Sequence, residues 1–351
     1  MPHRLLLALL TVLLALAVAG CGGSDEDAAP REVVLVTHDS FALTKPVRRA
    51  FERESGYTIR ILKTGDAVAA LNRALLTAGK PEGDVFFGAD NNLLTRALGE
   101  EELFEPYESP QLAHVDGEFV LDDQHRLTPV DHGEVCLNTD RAYFEREGLA
   151  PPGRLEDLTD ERYRGLLVVE NPATSTPGLA FLFATVAQFG DRWQEFWADL
   201  RANDVLVVDG WEEAYTQRFS GAAGGEGGRP IVVSYASSPA AEVVFAGTAL
   251  ERAPTAVVAE SCFRQVELAG VLRGARNEEG ARALVDFMLS PAFQRDVPLS
   301  MFVVPVRADV ALPPVFAEHA LTVEQPLELP PEEIGANRDR WIREWIDVVL
   351  R

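Results

Sequence analysis

One short pattern recurs four times along this chain: an apolar, strand-like run ends in a polar turn that opens a helix-like segment. The turns comprise residues 38–41 (HDSF), 89–92 (ADNN), 174–178 (TSTPG) and 235–238 (YASS). In open α/β sheets, ligands bind beyond the carboxyl ends of the strands, where helix N-termini present unpaired N–H groups. Ser, Thr, Asp and Asn are also ordinary helix caps, so one such turn predicts nothing functional. Four of them, spread over both halves of the chain, predict a ligand cleft.

The alternation of strand-like and helix-like segments predicts an α/β fold. The expected strands include 33–38, 58–64 and 84–90, and the expected helices include 45–54 and the segment that Asp66 caps. Apolar residues at the helical spacing i, i+3, i+4, i+7 indicate core packing rather than ligand contact; these are Trp193, Phe196, Trp197 and Leu200. A comparable apolar stripe on the closing helix comprises Trp341, Ile342, Trp345, Ile346 and Val349.

The net charge of −23 argues against nucleic acid as a partner and is compatible with a cationic ligand. The alternative is that the acidity only keeps the surface solvated. The chain is 47% hydrophobic and 25% charged, which is an ordinary globular balance. Its length allows two lobes with cores of their own.

The first residues predict export and a lipid anchor. Arg4 precedes one apolar run, residues 5–18, and small residues lead directly to Cys21. That arrangement is typical of a secretory signal ending in a lipobox. We therefore expect residues 1–20 to be a signal peptide, Cys21 to be lipidated at the extracytoplasmic face of the membrane, and 21–32 to be a flexible tether. The alternative is an ordinary cleaved signal that happens to precede a cysteine.

Two further cysteines, Cys136 and Cys262, suggest one disulfide in an exported chain. No cluster of His, Cys or Asp in the sequence is typical of a metal site, so we expect neither a metal nor a cofactor. The glycine-rich segment 221–228 is not followed by the Lys-Ser/Thr of a phosphate-binding loop, and we interpret it as a mobile loop.

Several motifs together resemble the thiamine-binding protein of bacterial ABC importers. In chain order they are THDSF, ADNNLL, ATSTPGLAFLF, GWEEAY, SYASSPA, FMLSPAFQ and RWIREW. The resemblance implies a type II periplasmic binding protein, with two α/β lobes joined by crossover strands and closing over a ligand. Lobe 1 would comprise 33–133 plus 265–351 and lobe 2 would comprise 134–264, with crossings near 134 and 262. The crossings would bring Cys136 and Cys262 within disulfide distance.

The resemblance also implies roles for individual residues. Asp66 and Ala67 match an acidic contact beside the ligand, and Ser175 and Thr176 match the turn that holds the hydroxyethyl or phosphate end. Trp211 matches an aromatic wall, and the second-lobe turn comprises Tyr235, Ala236, Ser237 and Ser238. Thiamine joins a flat aminopyrimidine to a cationic thiazolium, so aromatic faces and carboxylates suit it.

Other residues complete the expected site and mark departures from the family pattern. The further ligand contacts that we predict are His38, Asp39, Asp90, His132 and Phe302, with Asp131 or Glu134 as additional sources of charge. Phe302 stands where the family has a tryptophan, and the two histidines and Glu134 stand where it has aromatic residues. The expected site is therefore less aromatic and more polar than the family pattern, which leaves open the choice among thiamine, its phosphates and pyrimidine precursors.

Three functions remain in competition at this point. The first is a monomeric, non-enzymatic receptor that delivers thiamine or a thiamine phosphate to an ABC permease. The second is a receptor of the same fold for another cation, such as a polyamine or ferric ion. The third is a thiaminase-like enzyme with Cys136 as nucleophile and Glu134 nearby, which would require a free, accessible thiolate.

Overall fold

The structure, a computed structural model, describes residues 31–99, 101–248 and 250–351. The predicted signal peptide, the lipidation site at Cys21 and most of the tether lie outside these residues. Within the described ranges, no helix combines the length and the apolar character needed to cross a membrane.

A ten-stranded mixed sheet forms the centre of the fold, as the alternating sequence pattern predicts. Its strands are β1 (Glu32–Thr37), β2 (Thr58–Lys63), β3 (Val85–Asp90), β4 (Phe104–Glu105), β5 (Thr128–Asp140), β6 (Leu167–Glu170), β7 (Leu206–Val208), β8 (Ile231–Tyr235), β9 (Thr255–Leu272) and β10 (Val304–Pro305). The strand order is β2-β1-β3-β9-β5-β8-β6-β7, with β4 paired to β9 and β10 paired to β5.

Two long antiparallel strands connect the two halves of the sheet. β5 pairs with β9 from Thr128 opposite Ala269 to Asp140 opposite Thr255. On one side β1 pairs in parallel with β2 and β3, and on the other β6 pairs in parallel with β7 and β8. The predicted crossings near 134 and 262 fall within these long strands. The lobe boundaries themselves remain a prediction.

Helices cover the sheet, and the helix expected at 45–54 is one of them. The helices are α1 (Lys45–Ser55), α2 (Ala67–Leu76), α3 (Leu94–Ala97), α4 (Arg141–Glu147), α5 (Thr176–Phe189), α6 (Trp193–Ala202), α7 (Ser238–Phe245), α8 (Glu278–Met288), α9 (Pro291–Ser300), α10 (Pro314–His319) and α11 (Pro331–Val349). A six-residue π-helix spans Glu213–Arg218. Short 3₁₀ segments connect several of the remaining elements.

The largest core includes the junction of α5, α6 and α11. Trp197 packs edge-on against Phe181 at 5.6 Å and against Trp345 at 5.4 Å between ring centroids, and all three side chains are buried. α5 can lie this close to the sheet because residue 178 is glycine: a Cβ there would sit 2.5 Å from the carbonyl oxygen of Glu170 at the end of β6. This close approach fixes the N-terminus of α5 beside the carboxyl end of β6.

The structure joins Cys136 of β5 to Cys262 of β9 by a disulfide, with the two Cα atoms 4.1 Å apart. Both cysteines are buried. The bond therefore ties the two long strands together at the middle of the sheet.

Candidate functional site

A cavity of about 340 Å³ opens at the carboxyl ends of β2, β6 and β8. Small-molecule sites usually occupy roughly 300–1,000 Å³, so one compact ligand fits. The residues that line this central cavity are His38, Ser40, Asp66, Ala67, Thr176, Pro177, Trp211, Tyr215, Thr216, Ala222, Ala223, Tyr235, Ser237, Ser238, Ala241, Glu242, Phe245, Glu267, Ser300, Met301, Phe302 and Val303.

Three aromatic rings form one wall of the central cavity. Trp211 stacks on Tyr215 with the ring centroids 5.1 Å apart and 14° between planes, and it meets Tyr235 at 6.3 Å and 62°. The indole N–H of Trp211 donates to Ser234 Oγ at 3.0 Å, and that oxygen lies 2.8 Å from Ser238 Oγ. These contacts hold the indole in one orientation, so the wall is preorganised for a flat ligand.

Asp66 places a carboxyl group at the edge of this wall. It is the N-cap of α2, where Oδ1 accepts from the Ala67 N–H at 2.6 Å, and Oδ2 accepts from the Trp211 N–H at 2.9 Å. Gly210 permits the second contact, since a Cβ there would lie 3.0 Å from Oδ2. Burial raises the pKa of Asp66, and the hydrogen bonds oppose that rise.

A buried amide connects the two sides of the cavity floor. Gln265 accepts from Tyr235 Oη at 3.0 Å through Oε1, and its Nε2 donates to Asp90 Oδ2 and to Thr176 Oγ1, both at 3.1 Å. Burial raises the pKa of Tyr235 well above 10 and that of Asp90 to about 7. The tyrosine therefore remains a neutral hydrogen-bond donor at physiological pH.

A second carboxyl group, that of Glu267, borders the cavity from β9. It lies directly opposite Asp131 across the β5–β9 pair, and its Oε1 is 3.4 Å from His38 Nε2. Burial raises the pKa of Glu267 well above its usual value, and the neighbouring Asp131 raises it further. Burial also lowers the pKa of His38 to about 4, with Lys63 adding to the effect. Without a bound cation, the surroundings thus favour neutral forms of both Glu267 and His38.

A third carboxyl group, that of Glu242, lies on α7. It accepts from Tyr215 Oη at 2.7 Å and from the Ala223 N–H at 2.6 Å. Burial raises its pKa, and these two hydrogen bonds oppose the rise. Glu242 thereby anchors both the stacked Tyr215 ring and the start of the glycine-rich segment.

Phe302 and Phe245 both line the cavity, and their ring centroids lie 4.9 Å apart. Phe302 has a φ of +58°, a conformation that residues other than glycine seldom adopt. Its carbonyl oxygen accepts a hydrogen bond from Ser237 Oγ. The cross-cavity contact and the aromatic pair hold this backbone conformation in place.

The structure brings nine of the fourteen sequence-predicted contacts to the cavity lining. They are His38, Asp66, Ala67, Thr176, Trp211, Tyr235, Ser237, Ser238 and Phe302. The other five, which do not line it, are Asp39, Asp90, His132, Ser175 and Ala236.

In the structure these five residues have other surroundings, and their part in ligand binding stays a prediction. Asp39 Oδ1 accepts from the Gly65 N–H, and Asp90 caps the next turn by accepting from the Leu93 N–H at 3.1 Å. His132 stacks on Phe119 at 4.5 Å, and Ala236 packs with the disulfide. Ser175 is the buried N-cap of α5.

Sequence reasoning missed several lining residues, chiefly Tyr215, Glu242, Phe245, Glu267 and Met301. Tyr215 could have been found, because it lies in the same GWEEAY motif as Trp211. Glu267 interrupts an otherwise apolar strand, QVELAGVL, and an ionisable residue in such a run is a usable signal.

The charges of the lining have one sign. Three carboxyl groups, from Asp66, Glu242 and Glu267, contribute to it, and no Lys or Arg is among the described residues that do. Across the described part of the chain, no group of three or more His, Cys, Asp or Glu side chains is arranged to hold a metal ion. The site therefore suits an organic cation with a flat aromatic part.

Comparison with known proteins agrees with this geometry. Residues 81–324 match the family model for bacterial extracellular solute-binding proteins. The chain belongs to this family. The solute-binding protein is 30% identical to the thiamine-binding periplasmic protein of Salmonella typhimurium over 91% of this chain and 94% of the relative. It is 31% identical to the protein of the same name from Brucella abortus over 99% of both chains.

Solved structures support the same fold, the type II periplasmic binding protein that the sequence predicts. A periplasmic thiamin binding protein superimposes with a TM-score of 0.80 at 29% identity, covering 91% of this chain and 96% of that one. A ferric ion-binding protein from Pasteurella haemolytica superimposes with a TM-score of 0.68 at 15% identity, covering 91% and 98%. The second similarity shows the fold alone.

Proposed function

We propose that this solute-binding protein captures thiamine outside the cytoplasm and delivers it to an ABC permease. The observation that carries the proposal is the central cavity, which combines the stacked wall of Trp211 and Tyr215 with three carboxyl groups. No Lys or Arg is among the described residues that line it. The sequence relatives named as thiamine-binding periplasmic proteins support the same ligand.

The chemistry of thiamine matches the cavity feature by feature. A flat aminopyrimidine stacks favourably against an aromatic face, and a cationic thiazolium is attracted to the π faces of Trp and Tyr. Asp66 and Glu267 supply negative charge to the same space. A bound cation would also stabilise the ionised form of these carboxyl groups, which burial disfavours in the empty site.

Capture and release would use the two lobes that the sequence predicts, 33–133 plus 265–351 and 134–264. Contacts already bridge these lobes in the structure, including the Asp66–Trp211 and Ser237–Phe302 hydrogen bonds. We infer that the lobes move about the β5–β9 pair as a hinge. Small-angle scattering should show compaction when ligand is added to ligand-free protein, and an unchanged radius of gyration at saturation would contradict hinge closure.

Attachment at the extracytoplasmic face would use a lipid on Cys21, and the protein would act as a monomer, since residues of one chain line the cavity. Labelling of the protein in cells with a radioactive fatty acid tests the anchor. Loss of label in Cys21→Ser would support it, and unchanged label would contradict it.

The two alternatives make different demands on the site. A polyamine would tolerate the carboxyl groups but would leave the stacked aromatic wall without a flat partner. A thiaminase-like enzyme would need the Cys136 sulfur as a free thiolate, whereas that sulfur is buried and bonded to Cys262. Thiamine is the ligand that uses both the wall and the charge.

Native mass spectrometry of the purified protein tests the proposal. We expect one molecule with the mass of thiamine or a thiamine phosphate to bind per chain, either retained from the cells or after addition. Retention of a polyamine, with no uptake of any thiamine form, would contradict it.

A further inference from the structure

Asp131 and Glu267 form a pair of buried carboxyl groups between the long strands β5 and β9. Asp131 lies directly opposite Glu267 in the antiparallel pairing, and directly opposite side chains project from the same face of a sheet with their Cβ atoms about 5 Å apart. Both residues are buried. Glu267 lines the central cavity and Asp131 does not, so Asp131 can act on a ligand only through its neighbour.

A bulge in β5 creates this pair. The register moves from Pro129 opposite Leu268 to Asp131 opposite Glu267, so β5 contains one extra residue at this point. In a regular ladder Val130 would lie opposite Glu267, and the carboxyl group would have an apolar neighbour. Val130 packs in the core instead. Bulges re-aim individual side chains and are frequent beside functional sites, which makes the placement of Asp131 a candidate functional feature.

The carboxyl group of Asp131 lacks the partners that an ionised carboxylate needs. In the described part of the chain, no N–H or hydroxyl group donates to either of its oxygens. Glu267 has His38 Nε2 at 3.4 Å from its Oε1, and burial lowers the pKa of that imidazole to about 4. Two buried carboxyl groups side by side resist ionising together, and a proton that one donates to the other satisfies both. We therefore expect the pair to keep at least one proton at neutral pH in the empty site.

The groups around the pair make this proton hard to lose without a ligand. Asp90 at the end of β3 and Asp66 at the start of α2 add negative charge and raise the pKa of the pair's cavity-lining member. Burial raises the pKa of Tyr235, on β8, well above 10 and keeps it neutral. Lys63 of β2 disfavours the protonated form of His38. No Lys or Arg is among the described residues that line the cavity, so a bound ligand must supply any cation.

We propose that Asp131 and Glu267 act as one proton-sharing pair, and that capture of the cationic ligand beside Glu267 expels a proton from it. This inference rests on the proposed function. The O–H bond of the pair breaks, the proton passes to the solvent, and the electron pair stays on the Glu267 carboxylate, which then balances the positive charge of the ligand. Glu267 is thereby a ligand-binding residue, and Asp131 is a positioning residue that sets the charge of Glu267 before the ligand arrives.

Proton release makes the affinity depend on pH. When the ionised form of a group binds the ligand better, the affinity rises with pH until the group is ionised in the empty site as well. We expect the wild type to bind thiamine at least about five-fold more tightly at pH 8 than at pH 6. Calorimetry at pH 7 in PIPES and in Tris, whose heats of protonation differ, should show release of about half a proton or more per chain.

Asp131→Asn is the decisive variant, because its amide carries no acidic proton and can donate to Glu267. Glu267 should then be ionised before binding, so release should fall below about 0.2 proton per chain, and the dissociation constants at pH 6 and pH 8 should agree within about two-fold. Glu242→Gln is the matched control. It removes a carboxyl group from the same cavity, but one that already accepts from Tyr215 and Ala223. Whatever its affinity, it should release as many protons as the wild type.

Infrared spectroscopy follows the same proton without calorimetry. Addition of thiamine at pH 7 should remove the C=O band of a protonated carboxyl group from the wild type and not from Asp131→Asn. The same band should be weaker in empty Asp131→Asn than in the empty wild type. Asp131→Ala serves if Asp131→Asn does not fold, since it also removes the second carboxyl group.

The outcomes separate this inference from the proposed function. Thiamine binding without net proton release, or with equal release in the wild type and Asp131→Asn, would overturn the inference and leave the proposed function standing. Titration of the ligand itself is common to all variants and cancels in that comparison. If no thiamine form binds, the proposed function fails and the ligand-linked release fails with it, whereas the infrared band of the empty protein still tests the shared proton.

Discussion

The carboxylate of Asp66 accepts a hydrogen bond from the backbone N–H of Trp211 at 2.9 Å, although the two residues are 145 positions apart in the chain. The contact connects the turn after β2, near one end of the sheet, to the turn after β7, near the other end. It places a negative charge at the edge of the aromatic wall. We propose that recognition of a flat cation depends on this pairing of charge and ring.

Trp211 should therefore contribute directly to ligand affinity. We expect Trp211→Ala to weaken thiamine binding by about 1–3 kcal/mol, because the stacking surface and the exclusion of water are lost. Isothermal titration calorimetry measures the change. Trp211→Phe is the matched control, since it keeps a ring but loses the indole donor to Ser234. If both variants lose the same affinity for thiamine, the hydrogen bond from Trp211 to Ser234 accounts for the loss, and the stacking face of the ring does not.

Gly178 should be essential for placing α5. A Cβ at this position would lie 2.5 Å from the Glu170 carbonyl oxygen. The clash is with backbone atoms, which cannot move aside as the end of a flexible side chain can. We expect Gly178→Ala to lower the free energy of unfolding by about 1–3 kcal/mol, measured by urea denaturation. Gly228→Ala, where nothing lies within 4 Å of the added Cβ, is the control. Similar stability of the two variants would contradict the close packing of α5 on β6.

The disulfide should stabilise the protein without taking part in binding. Cys136 and Cys262 close a loop across 126 positions, for which the chain-entropy model gives about 5 kcal/mol. We expect no free thiol in the non-reduced protein, a large loss of stability when both cysteines become alanine, and little change in thiamine affinity of the folded variant. A free, alkylatable Cys136 that is needed for turnover of thiamine would support the enzyme instead.

The buried carboxyl groups should make the empty protein less stable at neutral pH than at acidic pH. Burial raises the pKa of Asp90 and Asp131 to about 7, and that of Glu267 well above its usual value. The folded state thus binds more protons than the unfolded state between about pH 4 and 7, and its stability falls as the pH rises through that window. Burial lowers the pKa of His38 and His132 to about 4. Between about pH 4 and 6.5 these two histidines therefore bind more protons in the unfolded state than in the folded state. In that range they oppose the loss of stability that the carboxyl groups cause.

Asp131→Asn isolates one of these groups. We expect the variant to gain stability relative to the wild type as the pH rises from 5 to 8, by on the order of 2 kcal/mol. Urea denaturation at several pH values measures the difference. The exposed Asp123→Asn is the control. If the difference in unfolding free energy between Asp131→Asn and the wild type stays constant from pH 5 to 8, the pKa of Asp131 is not raised.

Local rules predicted much of the fold. The helix expected at 45–54 is found at Lys45–Ser55, and the expected strands agree with β1, β2 and β3 to within about a residue at each end. Asp66 caps α2 as expected. The stripe that includes Trp193 and Trp197 is buried. Periodicity and capping depend on neighbours in sequence, so the sequence alone determines these features.

The cavity was less predictable because its polar groups depend on tertiary register. Glu267 lines the cavity and lies opposite Asp131 because of the register in which β9 pairs with β5. No pattern of neighbouring residues in the sequence predicts that register. Asp39 follows β1 and Asp90 ends β3, yet their carboxyl groups accept from nearby backbone N–H groups and stay out of the cavity lining. The end of a strand marks where a site can form, and long-range packing decides which of its polar residues take part.

Calorimetric titration of thiamine into the ligand-free wild-type protein tests the central claim most directly. The cavity predicts one site per chain with a dissociation constant of micromolar or tighter, comparable binding heats in buffers with and without a competing polyamine, and a marked loss in Trp211→Ala. No heat with thiamine or either of its phosphates, combined with tight binding of a polyamine, would contradict it.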